Sequence, residues 1–436
     1  MPVVGLLPQL RHDALAVFQT AQREHGDFVR LQVPGRRPVI LIGHPDYVRR
    51  VLQDHHANYG RTPFHDMLKP VLGNGLVTSE GELWRRQRRL VQPAFQSKRI
   101  RSFVPVMAAA AAETAERWQR VAQADMRIDL AAEMSCLTLT IILRAMFHRD
   151  DRHAGIGNAV QMVQEQLASR FWSLTGLFHG LPTPANRRFR RALATLDAAV
   201  AAIIAERSEA NGQEQDLLAM LLAACDEETG TGMDPTQLRD EVMTMFLAGH
   251  ETSAAGLSWA WYLLTCHPEA AERVREEARS VLAGHQPVWE DVERLAFTRM
   301  VVQETLRLYP PIAWFGRRAV AAGMIDGYEV PAGSTVLFSP YVVQRDARFW
   351  AEPERFVPER FAPDQPVRLP YSYFPFGGGP RTCIGAHFAM TEMVVTLATL
   401  VPHFEVSLGI TSPIPMQALI TLRPAGGLSA RIAPHS

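Results

Sequence analysis

The segment Phe376-Gly377-Gly378-Gly379-Pro380-Arg381-Thr382-Cys383-Ile384-Gly385 sets one cysteine in a glycine-rich loop, where an amphipathic helix is predicted to begin near Ile384. The free N–H groups and positive end of that helix favour an anion, and Arg381 adds a cation nearby, so the thiol is expected to work as a thiolate. A thiolate binds a metal or attacks an electrophile. Gly379 permits a tight turn with positive φ, and Gly385 leaves no side chain where a flat ligand could lie against the helix. Together these point to a haem iron held by sulfur. A buried structural cysteine is the ordinary reading of a lone thiol. The joint spacing of Phe376, Gly379, Arg381, Cys383 and Gly385 argues against it here.

This loop resembles the haem-binding loop of the cytochrome P-450 family, the haem-thiolate monooxygenases. A second constellation lies on an apolar helix from Asp240 to about Cys266, interrupted by Ala248-Gly249-His250-Glu251-Thr252-Ser253. A membrane span has adequate length, but Glu251 and His250 at mid-depth would be costly in hydrocarbon. A zinc-protease helix needs a second histidine four residues after His250, and position 254 is alanine. Glu251-Thr252 and Ala248-Gly249 match the acid-alcohol and small pairs of the family's oxygen-activating helix. A threonine hydroxyl inside a helix can bond the carbonyl one turn back and bend the helix, and Ala248 with Gly249 leaves room for a diatomic ligand. Thr252 is then a proton donor and Glu251 a relay from water.

Trp84 and Arg88, four residues apart, present an indole N–H and a guanidinium on one helical turn, donors that suit the two haem carboxylates. The family's Trp-x-x-x-Arg motif implies that both bind the propionates, with Arg381 and Arg317 completing the set; Arg318, adjacent to Arg317, cannot be told from it. Glu304 and Arg307 share a helix face and can pair. The family's Glu-x-x-Arg implies a structural role behind the haem, with an arginine from a downstream Pro-Glu-Arg-Phe segment as third member. Pro353-Glu354-Arg355-Phe356 supplies Arg355.

The resemblance implies haem b with Cys383 as proximal ligand, reduction of dioxygen, and insertion of one oxygen atom into a hydrophobic small molecule. A haem-thiolate sensor or carrier without turnover, and a peroxide-driven peroxygenase, are the alternatives. Family position assigns the substrate pocket to Phe64, His65, Phe171, Trp172, Phe246, Leu247, Ile312, Ala313, Trp314 and Phe315, beside Ala248. These are largely apolar, so a hydrophobic ligand without an ionic anchor is expected, a terpenoid first, with a fatty acyl chain, steroid or macrolide as other classes. Arg85, Arg86 and Arg89 continue towards Lys98, Arg99 and Arg101, a run that the resemblance places where an acidic electron donor docks. About fifty residues follow Gly385, without a flavin fold or iron-sulfur ligand set. FAD, FMN and iron-sulfur clusters are therefore not expected in the chain, and electrons come from a ferredoxin with its reductase, or a flavodoxin.

These residues need a scaffold. Phe28 to Val33 and Val39 to Ile42 read as a hairpin around Pro34-Gly35. Helical periodicity dominates beyond Pro45, around residues 103–124, 128–147, 190–207, 268–283 and Thr298 to Leu308. Asn211 to Glu214 and Glu227 to Pro235 read as turns. Strands return at Gly327 to Phe338, and a last hairpin is predicted over Ala418 to Ile432. The fold class is mainly α with small peripheral β-sheets, the cytochrome P-450 fold with its long central helix over the haem. One domain is expected over residues 1–436: a β-rich portion at about 25–60, a helical core at about 80–310 and the cysteine loop at 376–385. The 436 residues are 47% hydrophobic, ample for such a core. With 45 basic against 45 acidic residues nucleic acid is an unexpected partner. The four scattered cysteines give no disulfide framework, which fits a cytoplasmic location. Met1 to Asp13 lacks a signal pattern or the ~20 apolar residues of an anchor, so no stable membrane insertion is expected.

Overall fold

The structure, a computed structural model, describes residues 7–31, 37–147, 159–160, 162–163, 166–167, 183–209, 216–226, 228–409, 413–418 and 420–435. Among these the longest element is the central helix Pro235–Cys266, of 32 residues. Its start is fixed locally: the Asp234 carboxylate accepts from Gln237 N–H at 2.8 Å, and Pro235 occupies the first turn, where a missing N–H costs nothing. Buried residues then recur on every face, from Leu238 and Val242 to Trp259 and Leu264. A helix apolar all round must be wrapped by others. Helix Leu130–Phe147 packs along it, and Ala296–Leu308 and Ala386–Leu400 pack on it from other sides.

Leu130–Phe147 is long and apolar enough to cross a membrane; here it lies between the central helix and the helix Ser97–Gln123. The helix after the cysteine is Ala386–Leu400, and it is not amphipathic: Phe388, Thr391 to Ala398 and Leu400 are all buried. The helices Ser97–Gln123, Pro235–Cys266 and Ala296–Leu308 all pack on it, so little of its surface is left to make polar. Periodicity located the other helices, seen as Ser97–Gln123, Pro184–Glu209, Pro268–Leu282 and Ala296–Leu308.

The hairpin of Phe28–Leu31 and Val39–Ile42 forms with Phe28 opposite Ile42 and Leu31 opposite Val39. It supplies two of the five strands of a larger sheet. Thr335–Phe338 adds parallel to Val39–Ile42, Phe315–Ala319 follows antiparallel, and Tyr59–Gly60 closes the row. The N-terminal portion is less purely β than expected, because the helix Pro45–Arg49 interrupts it. The run from Gly327 to Phe338 is two strands, split by a turn at Gly333 with φ +79. The terminal hairpin differs too. Met416–Ala418 pairs with Leu422–Pro424, while Ser429–Pro434 leaves through Gly426 and Gly427, both at positive φ, to pair with Phe404–Leu408 and Arg127–Asp129.

Candidate active site

The cysteine loop is a built turn. Gly379 has φ +65, and a Cβ there would collide with the Leu52 carbonyl, so the position admits glycine alone. Cys383 N–H donates to Phe376 O at 2.9 Å, closing the loop on itself. Gly385, at φ −87, needs no special backbone; a Cβ there would have Phe95 as its nearest neighbour at 3.9 Å. The space beside it is open cavity.

Behind the loop sits a buried ion pair. Arg307 donates through Nε and Nη2 to the two Glu304 oxygens, each at 2.7 Å, with neither side chain exposed. The remaining Arg307 donors reach Gln344 O, Pro353 O and Arg355 O. Gln344 then donates to Leu306 O and Arg307 O and accepts from Phe374 N–H at 2.9 Å, tying this helix to the entrance of the cysteine loop. Arg355 is not the third member. Its side chain points out to Glu352, and it offers the pair its backbone carbonyl. Arg360 takes the place, with Nε 3.3 Å from Glu304 Oε1. The motif Pro-Glu-Arg-Phe occurs twice, at 353–356 and 358–361; Val357 N–H donates to Glu304 at 2.9 Å and turns the second copy inward.

In front of the loop opens a cavity of about 1370 Å³, beyond the roughly 300–1,000 Å³ of an ordinary ligand pocket. Cys383 is accessible because it faces this cavity. Burial pushes its thiol up, opposed by the Gly385 N–H and the positive charge of Arg88. A bound metal cation would supply the further positive charge that favours the thiolate. Arg381 is not that cation. It lies over the Trp84 ring, 4.2 Å from the centroid, and donates to Ser79 O at 3.1 Å.

Arg381 belongs to a second group on the cavity wall, with Arg61, Arg317 and His65. Burial, then Arg317 and Arg381, pushes Arg61 well below its ordinary value; burial, then Arg381, pushes Arg317 down to about 10. Arg381 is pushed down to about 10 by burial, and His65 to about 3 by burial and the Arg61 charge. Guanidinium does not release its proton at physiological pH. The strain is therefore a demand for a counter-anion, of which Glu80 supplies part. A ligand with two carboxylates on one edge and a metal for sulfur meets both demands. The residues present fit haem.

Opposite Cys383, the central helix offers Leu247, Ala248, Gly249, Glu251 and Thr252 to the cavity. Thr252 Oγ donates to Ala248 O at 2.7 Å, the bond to the preceding turn expected of it. Glu251 Oε1 accepts from Thr421 Oγ at 2.6 Å, and burial raises its carboxyl above the ordinary value. His250 turns away. Its Nε2 meets Ser135 Oγ at 2.9 Å, and burial holds it down at about 4, so it is a neutral clamp between two helices.

Trp84, Arg88, Arg317, Phe376, Arg381, Cys383 and Gly385 thus all border one cavity, with Phe64, His65, Ile312, Trp314 and Phe315. Phe246 and Ala313 do not reach it and are core residues, 3% and 4% exposed. Phe171 and Trp172 lie outside the described residues. Of the basic run, Arg86 is bonded to Gln237 and Gly232, Arg89 to Asp226 and Glu228, Arg85 to Glu82 and Arg101 to Glu290. Lys98 and Arg99 are the exposed cations left. Arg61, Thr421 and Arg360 were missed. A repeated motif marked Arg360; nothing local marks the other two.

A cytochrome P450 family profile matches residues 1–428. Cyclooctatin synthase of Streptomyces melanosporofaciens is 39% identical over 406 residues, 91% of this chain and 87% of that protein. Cyclooctat-9-en-7-ol 5-monooxygenase of the same organism is 34% identical, over 89% of this chain and 84% of its own length. Pentalenene oxygenase of Streptomyces avermitilis is also 34% identical, over 97% and 93%. The crystal structure of the cytochrome P450DA heme domain superposes with a TM-score of 0.88 at 25% identity, covering 98% of this chain and 94% of that one. A helical fold of that shape, a cysteine facing an apolar cavity and a matching profile along nearly the whole sequence have one common source: the chain belongs to the cytochrome P450 family and is a monooxygenase of it.

Proposed function

We propose that this chain, as one catalytic domain, hydroxylates a terpenoid-type hydrocarbon skeleton with electrons from a separate ferredoxin or flavodoxin. The observation that carries the reading is Cys383 on the wall of a large cavity whose lining, beyond the charged residues assigned to the haem carboxylates and the proton relay, includes Phe64, Leu72, Val77, Leu247, Ile312 and Trp314. Such a lining holds a bulky apolar ligand and rejects an unpaired charge. The names of two relatives support the class, since pentalenene denotes an alkene and cyclooctat-9-en-7-ol an alkenol.

Cys383 would hold the haem iron, and Arg61, Arg88, Arg317, Arg381 and Trp84 would hold its carboxylates. Haem bound there supplies the reductive activation of dioxygen and the insertion of one of its atoms into a C–H bond. The chain's own part is positional and protonic. Thr252 borders the cavity while its Oγ donates its proton to Ala248 O. Glu251, whose carboxyl burial raises above its ordinary value and which accepts from Thr421 Oγ, stands one residue away as the proton relay. Lys98 and Arg99 remain as the exposed cations for an acidic electron donor.

The test is a spectral titration of the haem-loaded protein. Polycyclic terpene hydrocarbons and their alcohols should shift the haem absorption at micromolar concentration and raise oxygen consumption when donor proteins are supplied. A protein that shifts with fatty acids alone would refute the substrate class. One that binds terpenes without consuming oxygen would be a carrier.

A further inference from the structure

The loop Gly73–Ser79 passes between the central helix and the arginine cluster, and its backbone is held from both sides. On the helix side Asp240 Oδ2 accepts from Asn74 N–H at 2.7 Å and Glu241 Oε2 accepts from Leu76 N–H at 3.1 Å. On the cluster side Leu76 O accepts from Arg61 Nη2 at 3.3 Å, and Ser79 O from Arg381 Nη1 at 3.1 Å. Gln87 Nε2 donates to Asn74 O at 2.7 Å, and Thr78 Oγ donates to Gly73 O, so the loop has little freedom of its own. The approach is close. A Cβ at Gly73 would overlap the Asp240 carboxylate, and one at Gly75 would overlap Thr244 Oγ. Glu241 is fully buried where it borders the cavity, and its other oxygen, Oε1, finds no partner among the described residues. A carboxylate kept in such a place at the cost of desolvation needs a purpose.

We infer that Glu241, assisted by Asp240, is a positioning residue for the cofactor: through the Leu76 peptide it sets the carbonyl that orients Arg61, and through the same loop the Ser79 carbonyl that orients Arg381, towards the haem carboxylates. Leu76 is the joint, since one residue gives its N–H to the acid and its C=O to the arginine. The inference rests on the haem reading above and deepens it.

The test uses haem-loaded protein and follows transfer of haem to excess apomyoglobin. E241A is expected to lose haem about tenfold faster than wild type, the scale of one charge-assisted contact, and E241Q, whose amide oxygen still accepts from Leu76 N–H, to stay within about twofold. The same proteins are loaded with the dimethyl ester of haem, which has no carboxylate charge to orient. With the ester, E241A and wild type should lose the group at equal rates. An equal acceleration for haem and ester would mean general loosening of the cavity and would overturn the inference, as would unchanged haem loss. If E241A does not accumulate, D240A, which releases the exposed Asn74, carries the same expectation in the same comparison. Failure of the haem reading itself looks different: wild type would then take up neither haem nor ester with thiolate ligation.

Discussion

Replacing Arg307, Arg360 and Arg355 one at a time by alanine tests which side chains hold the region behind Cys383. Arg307 is completely buried and spends its donors on Glu304 twice and on the carbonyls of Gln344, Pro353 and Arg355. Removing it leaves a buried carboxylate short of its main partner, about 3–5 kcal/mol, and adds carbonyls without donors at about 1–3 kcal/mol each. Against a total stability of roughly 5–15 kcal/mol the sum is close to unfolding. Arg360 contributes one charge 3.3 Å from Glu304 and one bond, to Glu352 O at 2.9 Å. Glu304 keeps Arg307 and the Val357 N–H without it, so R360A should cost about 1–2 kcal/mol. Arg355 makes an exposed pair with Glu352, and its contribution to the cluster is a carbonyl that alanine retains. R355A should therefore be silent. Urea unfolding gives the stabilities, and the ferrous carbon monoxide spectrum reports whether the cysteine loop still presents its thiolate. The order R307A, then R360A, then R355A is required. A loss in R355A equal to or above that in R360A would refute the assignment of Arg360 to the cluster.

C383S should fold, yet its ferrous carbon monoxide complex should lack the long-wavelength thiolate band; persistence of that band would exclude Cys383 as ligand. T252V keeps the shape of the central helix and loses the hydroxyl bonded to Ala248 O, so electrons should be diverted to peroxide, with product per electron falling about tenfold; an undiminished yield counts against Thr252. Glu392, fully buried on the helix after the cysteine and bonded to Ser253, is pushed up to about 8 by burial from an ordinary value of 4.5. Between these values the folded state binds more protons than the unfolded chain, so its contribution is complete below 4.5 and is lost as pH rises through about 8. E392Q should flatten the decline of stability over that range, as read from denaturation midpoints, and parallel curves for the two proteins would remove Glu392 as its source.

The local chemistry was legible in the sequence because it is carried by short motifs. Phe376 to Gly385 specifies its own turn through Gly379, and Glu251-Thr252 sits on the expected apolar helix, although that helix starts at Pro235, inside the stretch read as a turn, rather than at Asp240. Trp84 and Arg88 share a turn by spacing alone. Periodicity found the helices for the same reason, since a repeat of 3.6 residues is a property of neighbours in the chain. What the sequence could not decide were choices between equivalent neighbours and contacts between distant segments. Two copies of Pro-Glu-Arg-Phe are locally alike, and only the fold puts Arg360 rather than Arg355 beside Glu304. Arg61 has no motif around it; it becomes part of the site because strand pairing brings Tyr59–Gly60 against Phe315–Ala319 and so Arg61 near Arg317. At Cys383 the N–H at the start of the helix, that of Gly385, does favour the thiolate, but burial opposes it and the nearby cation is Arg88 of the helix Gly81–Val91 rather than Arg381. Spacing along one turn fixes which side chains share a face, whereas electrostatics and hydrogen-bond partners depend on distance in space, and distance in space was set when the helices and sheet closed around the cavity.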